Sequence, residues 1–241
     1  MTTNERPALP MERTTSPDGH VRSKSDAGLL APATARGEAT RRRILDAAEV
    51  VFGQLGYYEA SVSEITRRAG VAQGTFYLYF HSKREIFVKL VEDLGRSLRA
   101  ATRAAIADAP DRLEAERRGF AAFFAFVASH RRIYRIVQEA ERVAPEAAQD
   151  YYRRISRGYE RGLREAMEAG TVRPLHPEAI AYALMGIGHF LALRWLIWPQ
   201  EEQDAGDALH LPDDVFASAI EFITHGLAAH PQGDRHHHIS G

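Results

Sequence analysis

Gln73, Gly74 and Leu78 fall within one short run, AQGTFYLYF (72–80). A glutamine amide can pair in bidentate fashion with an adenine edge. An aliphatic side chain can touch a thymine methyl, and a glycine lets the backbone approach a ligand closely. These residue types at this spacing suit the reading of base edges in a major groove. The sequence offers little for bond-making chemistry: it has no H-E-x-x-H, no G-x-S-x-G, no Walker A loop and no G-x-G-x-x-G after a strand. Gly186 and Gly188 sit in an apolar helical stretch instead. Cysteine is absent, which removes disulfides, thiolate metal sites and cysteine nucleophiles together. The expectation is therefore no enzyme, no catalytic residue, no metal and no cofactor.

The elements that must position these residues are helical. β-propensity alone makes the aromatic run a strand, yet the flanking segments carry helix punctuation. Ile44, Leu45, Ala48, Val51, Phe52 and Leu55 form an i, i+3/i+4 stripe that ends at Gly56. Ser61 with Glu64 and Ser82 with Glu85 read as capping boxes opening two further helices, and Gly70 ends the first of these. Placed on a helix at about 100° per residue, Phe76 and Phe80 point inward together, whereas Gln73, Gly74, Tyr77 and Leu78 point outward. Thr75 and Tyr79 lie at the flanks, Tyr79 as packing or as contact. Two short helices around a glycine turn make a helix-turn-helix pattern.

Later helices are expected over about 111–129 and 131–142, from Pro145 and Pro177 as first-turn prolines, and after Pro212. The fold class is all-α: a three-helix DNA-binding domain at 38–84 with its helix-turn-helix, then a helical ligand-binding and dimerisation domain at 85–230. Residues 1–37, rich in Pro, Ser, Thr, Ala and Gly, read as a disordered arm, and 231–241 as a disordered tail holding His236–His238. The net charge of −1 averages unlike parts: basic residues crowd 36–43, and acidic ones dominate from 199 onward. The first residues lack the apolar core of a signal peptide, so a cytoplasmic location is expected. The stretch 179–198 has the length of a membrane span, which opens a membrane-associated or scaffold reading. His189 and Arg194 within it favour a helix buried in protein.

Residues 40–87 carry a longer set of words: Ile-Leu-Asp-Ala-Ala, Phe52, Leu55-Gly56-Tyr57, Ile65, Ala69-Gly70-Val71, Gly74-Thr75, Tyr77, Tyr79-Phe80 and Ser82-Lys83. This segment resembles the DNA-binding region of the TetR family of transcriptional repressors. The resemblance implies a dimer on palindromic operator double-stranded DNA. It also implies phosphate contacts from Ser61, Thr75, Tyr77 and Lys83. Arg42, with its neighbours Arg41 and Arg43, is either a phosphate contact or a solvated face. Ser63 stands where many relatives carry a longer polar residue.

The resemblance further implies that the remaining helices bind a small hydrophobic effector and pair into a homodimer. Phe120, Phe123, Phe124, Tyr134, Tyr152, Tyr159, Tyr182 and His189 are candidates for the pocket, with small alanines beside them to leave volume. The arginine-rich segment from Arg131 to Leu163 resembles the branch sensing fatty-acyl or aryl-acyl coenzyme A; a multidrug-sensing repressor is the competing expectation. Leu193, Leu196, Ile220 and Ile223 are the expected dimer-interface residues, since apolar stripes on the last helices otherwise face water.

Overall fold

A computed structural model describes residues 34–198 and 210–229. The arm up to residue 33, the acidic segment 199–209 and the tail lie outside the described residues.

All of the named elements are helices: α1 Ala35–Glu59, α2 Val62–Ala69, α3 Gln73–Tyr77, α4 Lys83–Ile106, α5 Arg112–Ser129, α6 Arg131–Val143, α7 Pro145–Glu168, α8 Pro177–Ala192 and α9 Asp213–Leu227. The expected punctuation acts at most ends. The Ser61 hydroxyl accepts from the N–H of Glu64, and that of Ser82 from the N–H of Glu85, each at 3.1 Å. Pro145 and Pro177 open α7 and α8. One half of each capping box departs from expectation. Glu64 turns to pair with Arg67, and Glu85 accepts from the N–H of His81 at 2.6 Å. Thr34 caps α1 through the N–H of Gly37 at 3.1 Å, so the helix begins inside the stretch assigned to the arm. Gly56, at φ 75° and ψ 171°, kinks α1 near its end, and Leu55 beside it is exposed rather than part of the buried stripe.

Two apolar cores hold the helices together. The first joins α1, α2 and α3 to α4, α6 and the start of α7, through Phe52, Phe76, Phe80, Phe87, Ile136 and Tyr151 among others. The second joins α5 to the end of α7, to α8 and to α9. The packing therefore does not part at residue 84: α4, ~36 Å long for its 24 residues, shares the core of the helices before it. α6 lies between the cores, giving Tyr134 to the second and Ile136 and Val137 to the first. After α8 the chain continues as a π-helical turn, Leu193–Ile197. The loop before α8 is tied to the end of α9 by Arg173 N–H to Leu227 O, at 3.0 Å.

Candidate nucleic-acid interface and cavity

The helix-turn-helix is set by two local devices. Gly70 ends α2 in the left-handed region (φ 65°, ψ 40°), and the N–H groups of Gly70 and Val71 return to Arg67 O and Thr66 O at 3.3 and 3.1 Å. α3 then anchors on Phe76, fully buried, and on Phe80 just beyond its end. With those two rings inward, Gln73, Gly74, Tyr77 and Leu78 are exposed, the last two at 46% and 44%. Thr75 and Tyr79 are half-buried, and Tyr79 packs on the first core. Ser61 and Ser63 are exposed on α2. A Cβ built at Gly74 would meet no protein atom, so nothing inside the chain asks for a glycine there.

Two basic residues of this surface have partners within the chain. Lys83 does not reach outward: its Nζ donates to Tyr57 O and Ala60 O at 2.7 Å each and to Tyr58 O at 3.3 Å, and lies 4.4 Å from the centre of the Tyr57 ring. Those carbonyls lie at and just beyond the kinked end of α1, where the helical ladder stops, so the ammonium is drawn to them. The same segment is held from the other side by Glu139 of α6, whose carboxylate oxygens accept from Tyr57 N–H at 3.0 and 3.2 Å. Arg42 is exposed as expected, but its Nε donates to Asp46 at 2.9 Å, an exposed i, i+4 pair of small worth that a phosphate can displace.

Between α4, α5, α6, α7 and α8 lies a cavity of about 490 Å³. Of the pocket candidates, Phe120, Phe123, Tyr134, Tyr152, Tyr159 and His189 line it, and Tyr151 joins them. Phe124 and Tyr182 do not. Phe124 is one position further round α5 than Phe123 and turns to Phe216 of α9, with ring centres 6.3 Å apart. Tyr182 follows the fully buried Ala181 and so falls on the outer side of α8. The Tyr134 hydroxyl and Nδ1 of His189 share a hydrogen bond of 2.6 Å, and burial lowers the His189 pKa, keeping the ring neutral. Tyr152 donates to Glu141 at 3.0 Å.

The sequence reading singled out the arginine-rich segment 131–163 but not the arginines of α4 that share the cavity with it. Arg99 and Arg103 from α4 and Arg154, Arg157 and Arg161 from α7 line it as two facing rows. On α7 the arginines recur at i, i+3 and i+7, but no local period shows that α4 brings a second pair opposite them. Arg154 pairs with Asp150 at 2.5 Å, whereas Arg103, Arg157 and Arg161 are exposed and have no ion-pair partner among the described residues. Deeper in, Arg112 pairs with Glu116, a carboxylate only 2% exposed whose pKa burial raises. Two glycines shape the walls. Gly158 has open space where a Cβ would stand, while a Cβ at Gly188 would meet the rings of Phe123 and Phe120 at 3.3 and 3.4 Å.

Three of the four residues expected to face a second copy are buried within the chain itself. Leu193, Leu196 and Ile223 are buried in the chain's own second core, and Ile220 packs against it. A helical stripe can serve only one partner, and on α9 the stripe Phe216, Ile220, Ile223 and Leu227 is taken by this core. The apolar groups left outside on α8, its π turn and α9 are Tyr182, Phe190, Trp198 and Phe222, the last 73% exposed. Pro177–Ile197 is long and apolar enough to cross a bilayer; here it packs on α7 and α5 along its Ala181, Leu184, Gly188 and Ala192 face.

With this geometry the chain is similar to known regulators. Residues 44–90 match the family described as bacterial regulatory proteins, tetR family. The HTH-type transcriptional regulator YdgC of Bacillus subtilis is 43% identical over 67 residues, which span 28% of this chain and only 34% of that protein. YhgD of the same organism is 23% identical over 194 residues, 78% of this chain and 97% of its own length. Among solved structures, the transcriptional regulator FadR of Bacillus subtilis in complex with stearoyl-CoA superposes with a TM-score of 0.64 at 21% identity, covering 77% of this chain and 98% of that one. The fold is the all-helical TetR fold, with an N-terminal helix-turn-helix domain and a helical C-terminal domain. Residues 44–90 form a TetR-family DNA-binding domain, and the chain as a whole has the helical fold of that family's transcriptional regulators.

Proposed function

We propose that the protein is a dimeric repressor that binds a palindromic operator and is released by a coenzyme A thioester. The observation that carries the effector class is the meeting of two features. An aromatic and aliphatic cavity opens beside Arg103, Arg157 and Arg161, which have no ion-pair partner among the described residues. Unpaired guanidinium groups suit phosphates, and the interior suits an acyl group. Cationic drugs would meet the same arginines as a repulsive rim, which speaks against the multidrug alternative. The stearoyl-CoA held by the Bacillus subtilis FadR of the same fold supports the reading.

On the DNA side, residues up to 84 form the operator-binding part and later ones the effector-binding and dimerisation part. Gln73 and Leu78 read bases, and Gly74 admits the backbone to the groove. Ser61, Ser63, Thr75, Tyr77, Tyr79 and Arg42 contact phosphate or pack beside it. Two copies joined through the outer rings of α8 and α9 place their α3 helices at half-sites about 34–36 Å apart, or a multiple of that. An acyl group between α4 and α5 shifts α4, which is joined to α3 by only a short turn. Moving such an equilibrium from 1:99 to 99:1 takes about 5.5 kcal/mol of differential affinity. At ~0.8 kcal/mol per buried methylene, roughly seven methylenes buried in one state alone supply it.

The test is release of operator DNA by acyl-CoA, free acid, free coenzyme A and bulky hydrophobic cations. Release by acyl-CoA alone is expected, with Arg157→Ala/Arg161→Ala requiring roughly a hundredfold more thioester, about 1.5 kcal/mol per lost charge-assisted contact. An equal response to cations would overturn the thioester reading and favour a multidrug sensor.

A further inference from the structure

The cavity's four tyrosines are not equivalent. Tyr134 and Tyr152 spend their hydroxyls on His189 and Glu141. Tyr151 and Tyr159 line the same cavity, and neither hydroxyl has a hydrogen-bond partner among the described residues. Tyr151 is only 6% exposed, and its ring lines the cavity. Both rings rise from α7, eight residues apart and so ~12 Å along the helix, one nearer the middle of the cavity and one towards its Arg112 end.

The surroundings of Tyr159 narrow the chemistry. The Arg112 guanidinium carbon lies 5.6 Å from the centre of its ring, and Arg112 is itself neutralised by the buried Glu116. Gly162 makes this placement possible, because a Cβ there would collide with the guanidinium. A ligand group at this end meets a phenolic donor beside an ion pair whose charges cancel. A cation is disfavoured by Arg112 and an anion by Glu116. A saturated chain strips both hydroxyls of any partner, which costs binding. A neutral oxygen accepts from the phenol without those penalties. Burial also raises the pKa of both tyrosines, so they stay protonated donors throughout the physiological range.

We propose that the acyl group taken into this cavity carries a neutral oxygen function, a hydroxyl or a carbonyl, which Tyr159 and Tyr151 select by hydrogen bonding. This deepens the thioester reading above and rests on the same cavity being the effector site. The rings of Phe120, Phe123, Tyr134, Tyr151 and Tyr159 further suit an oxygenated aryl-acyl group.

Matched pairs test it: 4-coumaroyl-CoA against cinnamoyl-CoA, and 3-hydroxydecanoyl-CoA against decanoyl-CoA, titrated on the full chain bound to its operator. The oxygenated member of at least one pair is expected to act at a concentration lower by roughly tenfold to a hundredfold. Tyr159→Phe or Tyr151→Phe is expected to bring that ratio close to one, the oxygenated member losing potency and the oxygen-free member acting at an equal or lower concentration because it no longer strips a hydroxyl. Equal response within both pairs, or a ratio unchanged in both variants, overturns the inference and leaves the thioester reading standing. The same acyl groups as N-acetylcysteamine thioesters separate the two ideas. If these release DNA with the oxygen preference while the coenzyme A forms do nothing, the coenzyme A reading falls and this one stands. If neither series releases DNA or shifts the thermal melt, both fall. The melt comparison on the unmutated protein also serves if a variant fails to fold.

Discussion

Removing the Lys83 ammonium while keeping its apolar stem, as in Lys83→Met, separates two roles for this residue. The family resemblance makes it a phosphate contact, whereas its Nζ rests on Tyr57 O and Ala60 O at 2.7 Å and on the Tyr57 ring. Each charge-assisted hydrogen bond contributes about 1.5 kcal/mol at the lower end of its range, suitable for a half-exposed site. The cation–π contact adds ~0.5 kcal/mol. The expected loss is thus roughly 3.5 kcal/mol, or a fall in Tm of ~7–14 °C for a chain of this size. The segment it clamps leads directly into α2, so operator affinity should fall as well, and for all sequences alike. The discriminating quantity is the salt dependence. A lost phosphate contact lowers the slope of log K against log salt by ~0.9, while a lost internal clamp leaves the slope unchanged. Melting curves and operator titrations across a salt series read both. A variant with an unchanged Tm and a slope shallower by about one would refute the clamp.

Other expectations follow from the same geometry. Gly74→Ala should stabilise the fold by about 0.5–1 kcal/mol, because its Cβ meets nothing inside the chain, and yet weaken operator binding; a loss of both would place the need for glycine within the protein. Phe222→Asp should shift sedimentation from dimer to monomer with little change in the melt, whereas Ile220→Asp should lower the melt by disturbing the chain's own core. The folded-state pKa of His189 is depressed, so its stabilising effect is whole above the ordinary 6.5 and is lost as pH falls from there through the lowered value. Stability of the wild type should therefore fall more steeply than that of His189→Gln below pH 6.5, and parallel curves in denaturant titrations would contradict this. Glu141, the charged group acting on that ring, offsets part of the shift.

What the sequence made legible was what local rules decide. Ser61, Ser82, Pro145 and Pro177 announced helix starts because a cap satisfies orphan donors within one turn. Phe76 and Phe80 were recognisable as inward because one helix fixes their phase. The pattern said that Ile220, Ile223, Leu193 and Leu196 would be buried but not by what, and the chain's own α5 and α7 rather than a second copy supply the cover. The exposed rings Phe190 and Phe222 each stand alone in sequence and form no stripe. The pairing of Lys83 with Tyr57, and of Glu139 with the same residue 82 positions away, depends on tertiary geometry that no local period encodes. The cavity arginines were partly visible as a dense run on α7. Their counterparts on α4 were not.

The two cavity glycines give the protein unequal room to change what it answers to. At Gly158, beside the arginine-lined opening, a side chain can be added without pushing on any neighbour, so a single substitution narrows or recharges the entrance at no cost to packing. At Gly188 the same change presses on Phe120 and Phe123, which are themselves part of the inner wall, so it disturbs the core before it alters selectivity. Evolution, or an engineer building a sensor for a different metabolite, therefore has an inexpensive position at the entrance and a constrained one at the floor. Related regulators that keep this helical frame can diverge first in the head group they accept and only later in the acyl portion.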